Sequence, residues 1–133
     1  MLKDSKAFSG FSVDDLEKAK KFYSETLGVE VTEELMGDEF KTLKLHIAGS
    51  NSIFVYPKDD HVPATFTILN FPVKNIDEAV EELKKRGVQF ESYDSGFLKT
   101  DDKNIARNEG QSSAIAWFKD PAGNFLSLIE DKE

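Results

Sequence analysis

The chain contains an internal repeat, and a repeat constrains a fold more than any single motif does. Residues 11–19 read FSVDDLEKA, and residues 71–79 read FPVKNIDEA. Matching places hold identical or similar side chains: Phe11 and Phe71, Val13 and Val73, Leu16 and Ile76, Glu17 and Asp77, Ala19 and Ala79. The second copy is then one residue shorter, so that residues 27–29 align with residues 86–88. The sequence therefore predicts two copies of one structural unit.

Each copy opens with the pattern of a strand followed by a helix. In the first copy, alternating apolar residues predict a strand, Asp14 is placed to cap the helix, and Gly28 to end it. In the second copy, Asn75 is the expected cap and Gly87 the expected stop. Both helices should carry an apolar stripe and lie on a sheet.

Three strands are predicted after each helix. They cover residues 29–34, 40–47 and 52–56 in the first copy, and residues 88–92, 113–118 and 125–129 in the second. We place the modules at residues 5–58 and 64–131, within a single domain of residues 1–133. The segment 93–111 has no clear period, and loops of this length often cover a functional site.

The last two strands should form a tight hairpin. They flank the sequence DPAGN at residues 120–124, in which Pro presets φ while Gly and Asn tolerate positive φ. Because side chains alternate along a strand, Leu126 and Leu128 share one face and Ser127 points to the other. That second face is the one that a cavity would use.

Composition narrows the class of protein. With 133 residues and eleven Phe, the chain can bury one core. It has no Cys, which suits a reducing compartment, and no apolar run long enough to span a membrane. Its net charge of −8 argues against a nucleic-acid partner. We therefore expect a cytoplasmic protein that binds neither nucleic acid nor membrane.

The segments FSVDDLEKAKKFYSETLGVEV (11–31) and WFKDPAGNFLSLIE (117–130), within a duplicated βαβββ pattern, resemble the vicinal oxygen chelate superfamily. That superfamily includes glyoxalase I, extradiol dioxygenases, and fosfomycin and bleomycin resistance proteins. The resemblance implies an α+β fold in which two tandem βαβββ modules form a curved mixed sheet around a cavity. It also implies a homodimer.

Enzymes of this superfamily bind a divalent metal through the first and last strands of each module. The resemblance places those ligands at Phe8, Phe54, Ile68 and Ser127. Three of these side chains are hydrocarbon, and a neutral hydroxyl alone cannot hold a dication. The two histidines, His46 and His61, are isolated, and a lone histidine is more often a surface or core residue than a ligand. We therefore expect no metal and no cofactor.

The remaining cavity lining is aromatic and aliphatic with sparse polar groups, which suits a small organic ligand. The predicted ligand-binding residues are Phe8, Phe54, Tyr56, Ile68, Asn70, Trp117, Ser127 and His46. The first hypothesis is a metal-free protein, similar to the bleomycin-resistance branch, that binds an apolar or aromatic ligand.

Two other functions stay open. One is a metal-dependent lyase, isomerase or dioxygenase of the superfamily that uses unexpected ligands such as His46. The other is a vestigial cavity in a domain that acts through protein contacts. Metal content separates the first hypothesis from the enzyme, and a filled cavity would favour the third.

Overall fold

The computed structural model describes residues 1–107 and 114–131. The chain divides into two compact units, Met1–Pro63 and Ala64–Glu133, and each holds one copy of the repeat. Asn108, Gly110 and Ser113, which the sequence analysis assigns to the long loop and to a strand, lie outside the described residues. The module limits and the single domain stay predictions.

The first unit, Met1–Pro63, has the order strand, helix and three strands. Its elements are β1 (Gly10–Val13), α1 (Leu16–Lys21), a π-helical turn that continues α1 (Phe22–Thr26), β2 (Glu30–Met36), β3 (Phe40–His46) and β4 (Ile53–Pro57). The strands form one mixed sheet in the order β1-β4-β3-β2. β1 runs parallel to β4, and the other pairs are antiparallel.

Alternation along the strands builds the core of the first unit. Leu43 and Leu45 on β3 are fully buried, as is Val55 on β4, while Lys44, Phe54 and Tyr56 on the opposite face are more exposed. The helix supplies Ala19 and the π-helical turn supplies Tyr23, both buried. The amphipathic pattern of the sequence therefore packs the helix against one face of the sheet.

The helix cap of the first unit differs from the sequence prediction by one residue. Asp15, not Asp14, has the extended backbone of an N-cap, and its carboxylate accepts a hydrogen bond from Lys18 N at 3.1 Å. Adjacent aspartates offer the same chemistry, so the sequence alone does not decide between them. In the second unit the prediction is confirmed, because Asn75 accepts from Glu78 N at 3.1 Å.

The second unit, Ala64–Glu133, keeps the strand and helix but adds short strands. Its elements are β5 (Thr67–Val73), α2 (Ile76–Lys85), β6 (Asp94–Ser95), β7 (Leu98–Lys99), β8 (Ala106–Arg107), β9 (Ala114–Lys119) and β10 (Phe125–Glu130). One sheet has the order β5-β10-β9-β8, with β5 parallel to β10, and β6 and β7 form a separate hairpin.

The strand predicted at residues 88–92 is wrong. Only Phe90 makes a bridge, to Phe118 on β9, and Glu91 N donates one further bond to Trp117 O at 2.8 Å. The chain then leaves the sheet, and β8 pairs with the other end of β9. The segment around Phe90 and β8 therefore pair with different parts of the same edge of β9. The turn formers in residues 92–96 lead the chain away from the sheet after Phe90.

The final hairpin forms as predicted and is fixed by a buried aspartate. Asp120 Oδ1 accepts from Ala122 N at 3.0 Å and from Asn124 N at 2.9 Å, and Gly123 has a φ of +88°. Leu126 and Leu128 on the returning strand are both buried. The predicted alternation of β10 is therefore confirmed on its helix side.

The predicted α+β class is confirmed, with a helix and a four-stranded mixed sheet in each unit. In the parts of the chain that the structure describes, no helix is long and apolar enough to cross a membrane.

Candidate functional site

Each sheet has a face opposite its helix, which we term the open face. Pairing register places the residues of this face side by side. In the first unit they include Gly10, Ser12, Lys44, His46, Phe54 and Tyr56. In the second they include Asn70, Ile115, Trp117, Ser127 and Ile129. Most of the predicted ligand-binding residues therefore lie on these two open faces.

Phe8 and Phe54, two of the predicted site residues, line one pocket of about 260 Å³ in the first unit. The described residues that line it, termed the N-terminal pocket, are Lys6, Phe8, Lys44, Asn51, Ser52 and Phe54. Asn51 Nδ2 donates to Ala7 O at 2.7 Å and so fastens the N-terminal segment beside β4. The ring of Phe8 is 66% exposed, which leaves its face available to a ligand.

Tyr56 supports the ring of Phe54. The two rings stack with centroids 5.5 Å apart and an interplanar angle of 26°. Gly10 lies opposite Phe54, and a Cβ there would come within 3.2 Å of Phe54 O and 3.6 Å of the ring. A glycine at this point of β1 therefore leaves room for the aromatic ring.

His46 is held by hydroxyl groups rather than by other ligating side chains. Its Nε2 is hydrogen bonded to Thr32 Oγ1 at 2.9 Å, and its Nδ1 to Ser52 Oγ at 3.3 Å. His61 pairs with Ser12, with His61 Nδ1 and Ser12 Oγ 2.7 Å apart. Both nitrogens of His46 are thus engaged, and a metal would have to displace one of these bonds.

Three predicted residues of the second unit lie next to one another across its sheet. Ser127 is paired in register with Trp117 on one side and with Asn70 on the other. Ser127 is fully buried, and its Oγ donates to Asn70 Oδ1 at 2.5 Å. Ile68 is the extra residue of a bulge in β5, between the positions paired with Phe125 and Leu126. The hydroxyl of Ser127 is therefore a satisfied structural group.

Trp117 lines a larger pocket of about 500 Å³ in the second unit. Among the described residues its lining, termed the C-terminal pocket, is Phe97, Leu98, Lys99, Ala106, Arg107, Ile115 and Trp117. β9 supplies the floor, β8 one wall, and the β6–β7 hairpin another. Tyr93 meets Trp117 edge to face with centroids 5.5 Å apart, and burial raises the pKa of its hydroxyl.

Hydrogen bonds to the carboxylate of Asp101, which we term the Asp101 clasp, hold the β8 wall of the C-terminal pocket. Asp101 Oδ1 accepts from Lys103 N and Ile105 N, each at 2.9 Å, and Asp101 Oδ2 accepts from Arg107 Nε at 3.1 Å. Arg107 also donates to Asp77 on α2 at 2.7 Å. Burial acts to raise the pKa of Asp101, but the bonds from Ile105, Lys103 and Arg107 outweigh it and hold that pKa below its ordinary value.

The residues at the metal positions of the superfamily do not fit a metal. Phe8, Phe54 and Ile68 offer no lone pair, and the hydroxyl of Ser127 is committed to Asn70. Within residues 1–107 and 114–131, no group of three His, Asp or Glu side chains is arranged to hold an ion. The donor chemistry of these positions therefore gives no route to metal-assisted catalysis.

Sequence patterns do not predict much of either pocket. In the first unit they give no signal for Lys6, Lys44 and Asn51, although Lys44 has the same strand parity as His46. In the second unit the segment 93–111 is expected to cover a site, but its lack of periodicity does not single out the hairpin residues 97–99. Whether the open faces of the two units serve one common cavity stays a prediction.

Comparison with known proteins gives a family and a fold. The model of the Glyoxalase/Bleomycin resistance protein/Dioxygenase superfamily matches residues 8–128. No curated protein sequence matches the chain.

Solved structures cover nearly the whole chain. A glyoxalase family protein from Enterococcus faecalis is 24% identical with a TM-score of 0.69, and the match covers 98% of this chain and 100% of that one. An antibiotic binding protein from a Streptomyces species is 24% identical with a TM-score of 0.62, covering 93% and 94%. A fosfomycin resistance protein from Listeria monocytogenes is 19% identical with a TM-score of 0.69, covering 94% and 91%.

At these identities the structural likeness shows the fold alone. The family match spans both copies of the repeat, from the first strand segment to the returning strand of the last hairpin. The chain therefore belongs to the glyoxalase/bleomycin resistance protein/dioxygenase superfamily.

Proposed function

We propose that this protein binds a small organic ligand with an apolar or aromatic body, and that it does so without a metal. The observation that carries the proposal is the C-terminal pocket, whose floor is formed by Ile115 and Trp117. Its volume of about 500 Å³ falls within the range of about 300–1,000 Å³ typical of organic ligand sites. An apolar and aromatic lining with a few polar groups is the usual composition of such sites.

The chemistry of the metal positions supports the metal-free part of the proposal. Two of them, Phe8 and Phe54, are rings that bound the N-terminal pocket, and such rings recognise ligands through apolar and stacking contacts. The antibiotic binding protein among the structural neighbours shares the fold and is described as a binder. No contact in the described residues favours the enzymatic alternative.

Trp117 makes the proposal testable, because it is the only tryptophan of the chain. We expect the neutral aromatic probe N-phenyl-1-naphthylamine to quench Trp117 emission in a saturable way. Ala106→Phe should abolish that quenching, since the new ring would fill the pocket beside β8. Ala122→Phe, in the last hairpin and outside the pocket lining, is the matched control and should bind normally. Absent quenching, or equal binding by Ala106→Phe, would overturn the proposal.

Elemental analysis tests the metal-free part separately. Protein purified without a chelator should carry no stoichiometric divalent ion, because none of the four superfamily positions offers a charged or imidazole donor. About one Zn, Ni, Mn or Fe per chain would contradict this and restore the metal-dependent alternative.

The proposal also includes a homodimer in the cytoplasm. β2 is an edge strand of its sheet, and the β2–β3 hairpin exposes three large apolar side chains: Leu35, Met36 and Phe40. Edge strands with exposed apolar residues are surfaces that proteins commonly cover. A second copy of the chain is the partner that we propose for this edge.

Sedimentation equilibrium at micromolar concentration should give a dimer, and Leu35→Lys should shift it toward monomer. Phe97→Lys, at another exposed apolar residue, is the control and should stay dimeric. A monomeric wild type would contradict the proposed assembly without affecting the ligand proposal.

A further inference from the structure

The two open-face pockets share a charge pattern. Each combines aromatic rings with two cationic side chains, Lys6 and Lys44 in one and Lys99 and Arg107 in the other. No carboxylate lines either pocket among the described residues. The same arrangement thus occurs independently in both units.

Composition does not explain this pattern. The chain has 25 Asp and Glu against 17 Lys and Arg, so a randomly chosen surface should hold more acids than bases. A depression on the outer surface of α2 follows that expectation, since Glu78, Glu81 and Glu82 outnumber Lys74 and Lys85 there. The open faces have the opposite balance, and a cationic site in a protein of net charge −8 attracts anions only locally.

In each pocket one of the two cations is already engaged. Glu34 pairs with Lys44 at 3.0 Å, and the two carboxylates of Asp77 and Asp101 balance Arg107. The second cation of each pocket has no such partner among the described residues. Lys6 and Lys99 make no ion pair with any residue of the described parts of the chain.

Lys99 is well placed to meet a ligand on Trp117. It lies on β7 and lines the pocket together with Phe97, whose side chain is fully exposed at the tip of the hairpin. Asp94 is opposite Lys99 in the hairpin register without forming an ion pair. The ammonium group therefore remains available at the rim of an aromatic pocket.

We propose, building on the function proposed above, that the ligand is an aromatic acid. Its ring system rests on Trp117 and Ile115 and reaches Phe97, and its carboxylate or sulfonate group pairs with Lys99. A charge-assisted hydrogen bond of this kind is about twice as strong as a neutral one. Arg107 acts mainly as a positioning residue, because its charge is balanced by Asp77 and Asp101.

Two probes with the same rings and different charge test this inference. 8-Anilinonaphthalene-1-sulfonate carries a sulfonate that N-phenyl-1-naphthylamine lacks, and both can be followed through Trp117 emission. We expect the anionic probe to bind about tenfold more tightly at low salt, which corresponds to one charge-assisted contact. The advantage should shrink as salt is raised, since Lys99 is exposed.

Variants locate the effect. Lys99→Gln should bring the affinities of the two probes to within about twofold of each other, while Lys99→Arg keeps most of the anionic preference. Lys103→Gln, which removes the same charge nearby but does not line the pocket, is the matched control and should keep the preference. Both positions, Lys99 and Lys103, are exposed, so folding should be unaffected in all three variants.

The outcomes distinguish this inference from the function on which it rests. If neither probe binds, the proposed function fails. If both bind with equal affinity, the ligand pocket stands but the aromatic-acid assignment is overturned. The assignment is also overturned if Lys103→Gln reduces the preference as much as Lys99→Gln does, because that result would indicate general attraction to the surface.

Discussion

The two units start from the same repeat and differ most at one edge of their sheets. In the first unit the edge strand is β2, seven residues that pair with β3 along their whole length. In the second unit the matching edge of β9 is divided between a single bridge at Phe90 and the two-residue β8. The chain between them forms the β6–β7 hairpin and the Asp101 clasp.

This difference shows where duplicated units can diverge. Strands in the middle of a sheet are held by partners on both sides and by a helix, so both units keep the same order there. An edge strand has one partner only, and its loss costs fewer hydrogen bonds. In the second unit the freed segment builds the wall of the larger pocket, so the edge that diverged is also the edge that we assign to ligand binding.

The largest expected effect concerns the core of the second unit. Phe118 is fully buried on β9 and contacts Phe90 with ring centroids 5.3 Å apart. Phe118→Ala should lower the free energy of unfolding by about 3–5 kcal/mol, as ring deletions in cores do. Phe97→Ala, on a fully exposed ring, is the control and should change it by less than about 0.5 kcal/mol. Urea denaturation measures both, and similar losses would mean that the hairpin belongs to the core.

The next largest effect concerns Ser127, on the open face of the second unit. If Ser127 faced an open cavity, as the alternation in the sequence suggests, Ser127→Phe would block ligand uptake and leave folding intact. The full burial of Ser127 and its bond to Asn70 give a different expectation, namely strain of about 1–3 kcal/mol. Thermal unfolding and probe binding should be measured together on Ser127→Phe, with Ser127→Ala to isolate the lost hydrogen bond. Normal stability with lost binding would restore the prediction made from the sequence.

The two helix caps test whether the two copies of the repeat contribute equally to the stability of the protein. Asp15 and Asn75 cap their helices with the same geometry, each accepting a bond of 3.1 Å from the N–H three residues later. Asp15→Ala and Asn75→Ala should each lower stability by about 1 kcal/mol. Asp14→Ala serves as the control for the first unit, since Asp15 is the capping residue. A loss in only one of the two cap variants would show that the units fold with unequal dependence on their helices.

The smallest expected effect is a pH dependence that arises from Asp101 in the second unit. The pKa of Asp101 is held below its ordinary value, which is about 3.9 in the unfolded chain. The carboxylate therefore stabilises the folded state above that pH, and the contribution is lost as the pH falls through the folded-state pKa.

The melting temperature of Asp101→Asn should accordingly lie below that of the wild type at neutral pH. The difference should narrow below about pH 4. Asp94→Asn, in the neighbouring hairpin, is the control for a simple change in net charge. A constant difference across the acid range would mean that the clasp does not depend on the charge of Asp101.

Local signals in the sequence determined much of this fold. Periodicity and turn formers located both helices, seven of the eight predicted strands and the DPAGN hairpin, because each depends on residues that are close in the chain. Residue chemistry alone also showed that Phe8, Phe54 and Ile68 cannot be metal ligands. Alternation along β10 also put Ser127 on the face opposite Leu126 and Leu128, where the structure pairs it with Trp117.

Only the tertiary structure decided the edges and the pockets. Residues 88–92 have the composition of a strand, but β8 also pairs with β9. Neither the sequence of residues 88–92 nor that of β8 shows that the two segments divide one edge of the sheet between them. The lining of the C-terminal pocket joins residues 97–99 with residues 106–107 and with β9. Such a site is set by which segments meet in space, whereas the sequence patterns that predict helices and strands are carried by neighbours along the chain.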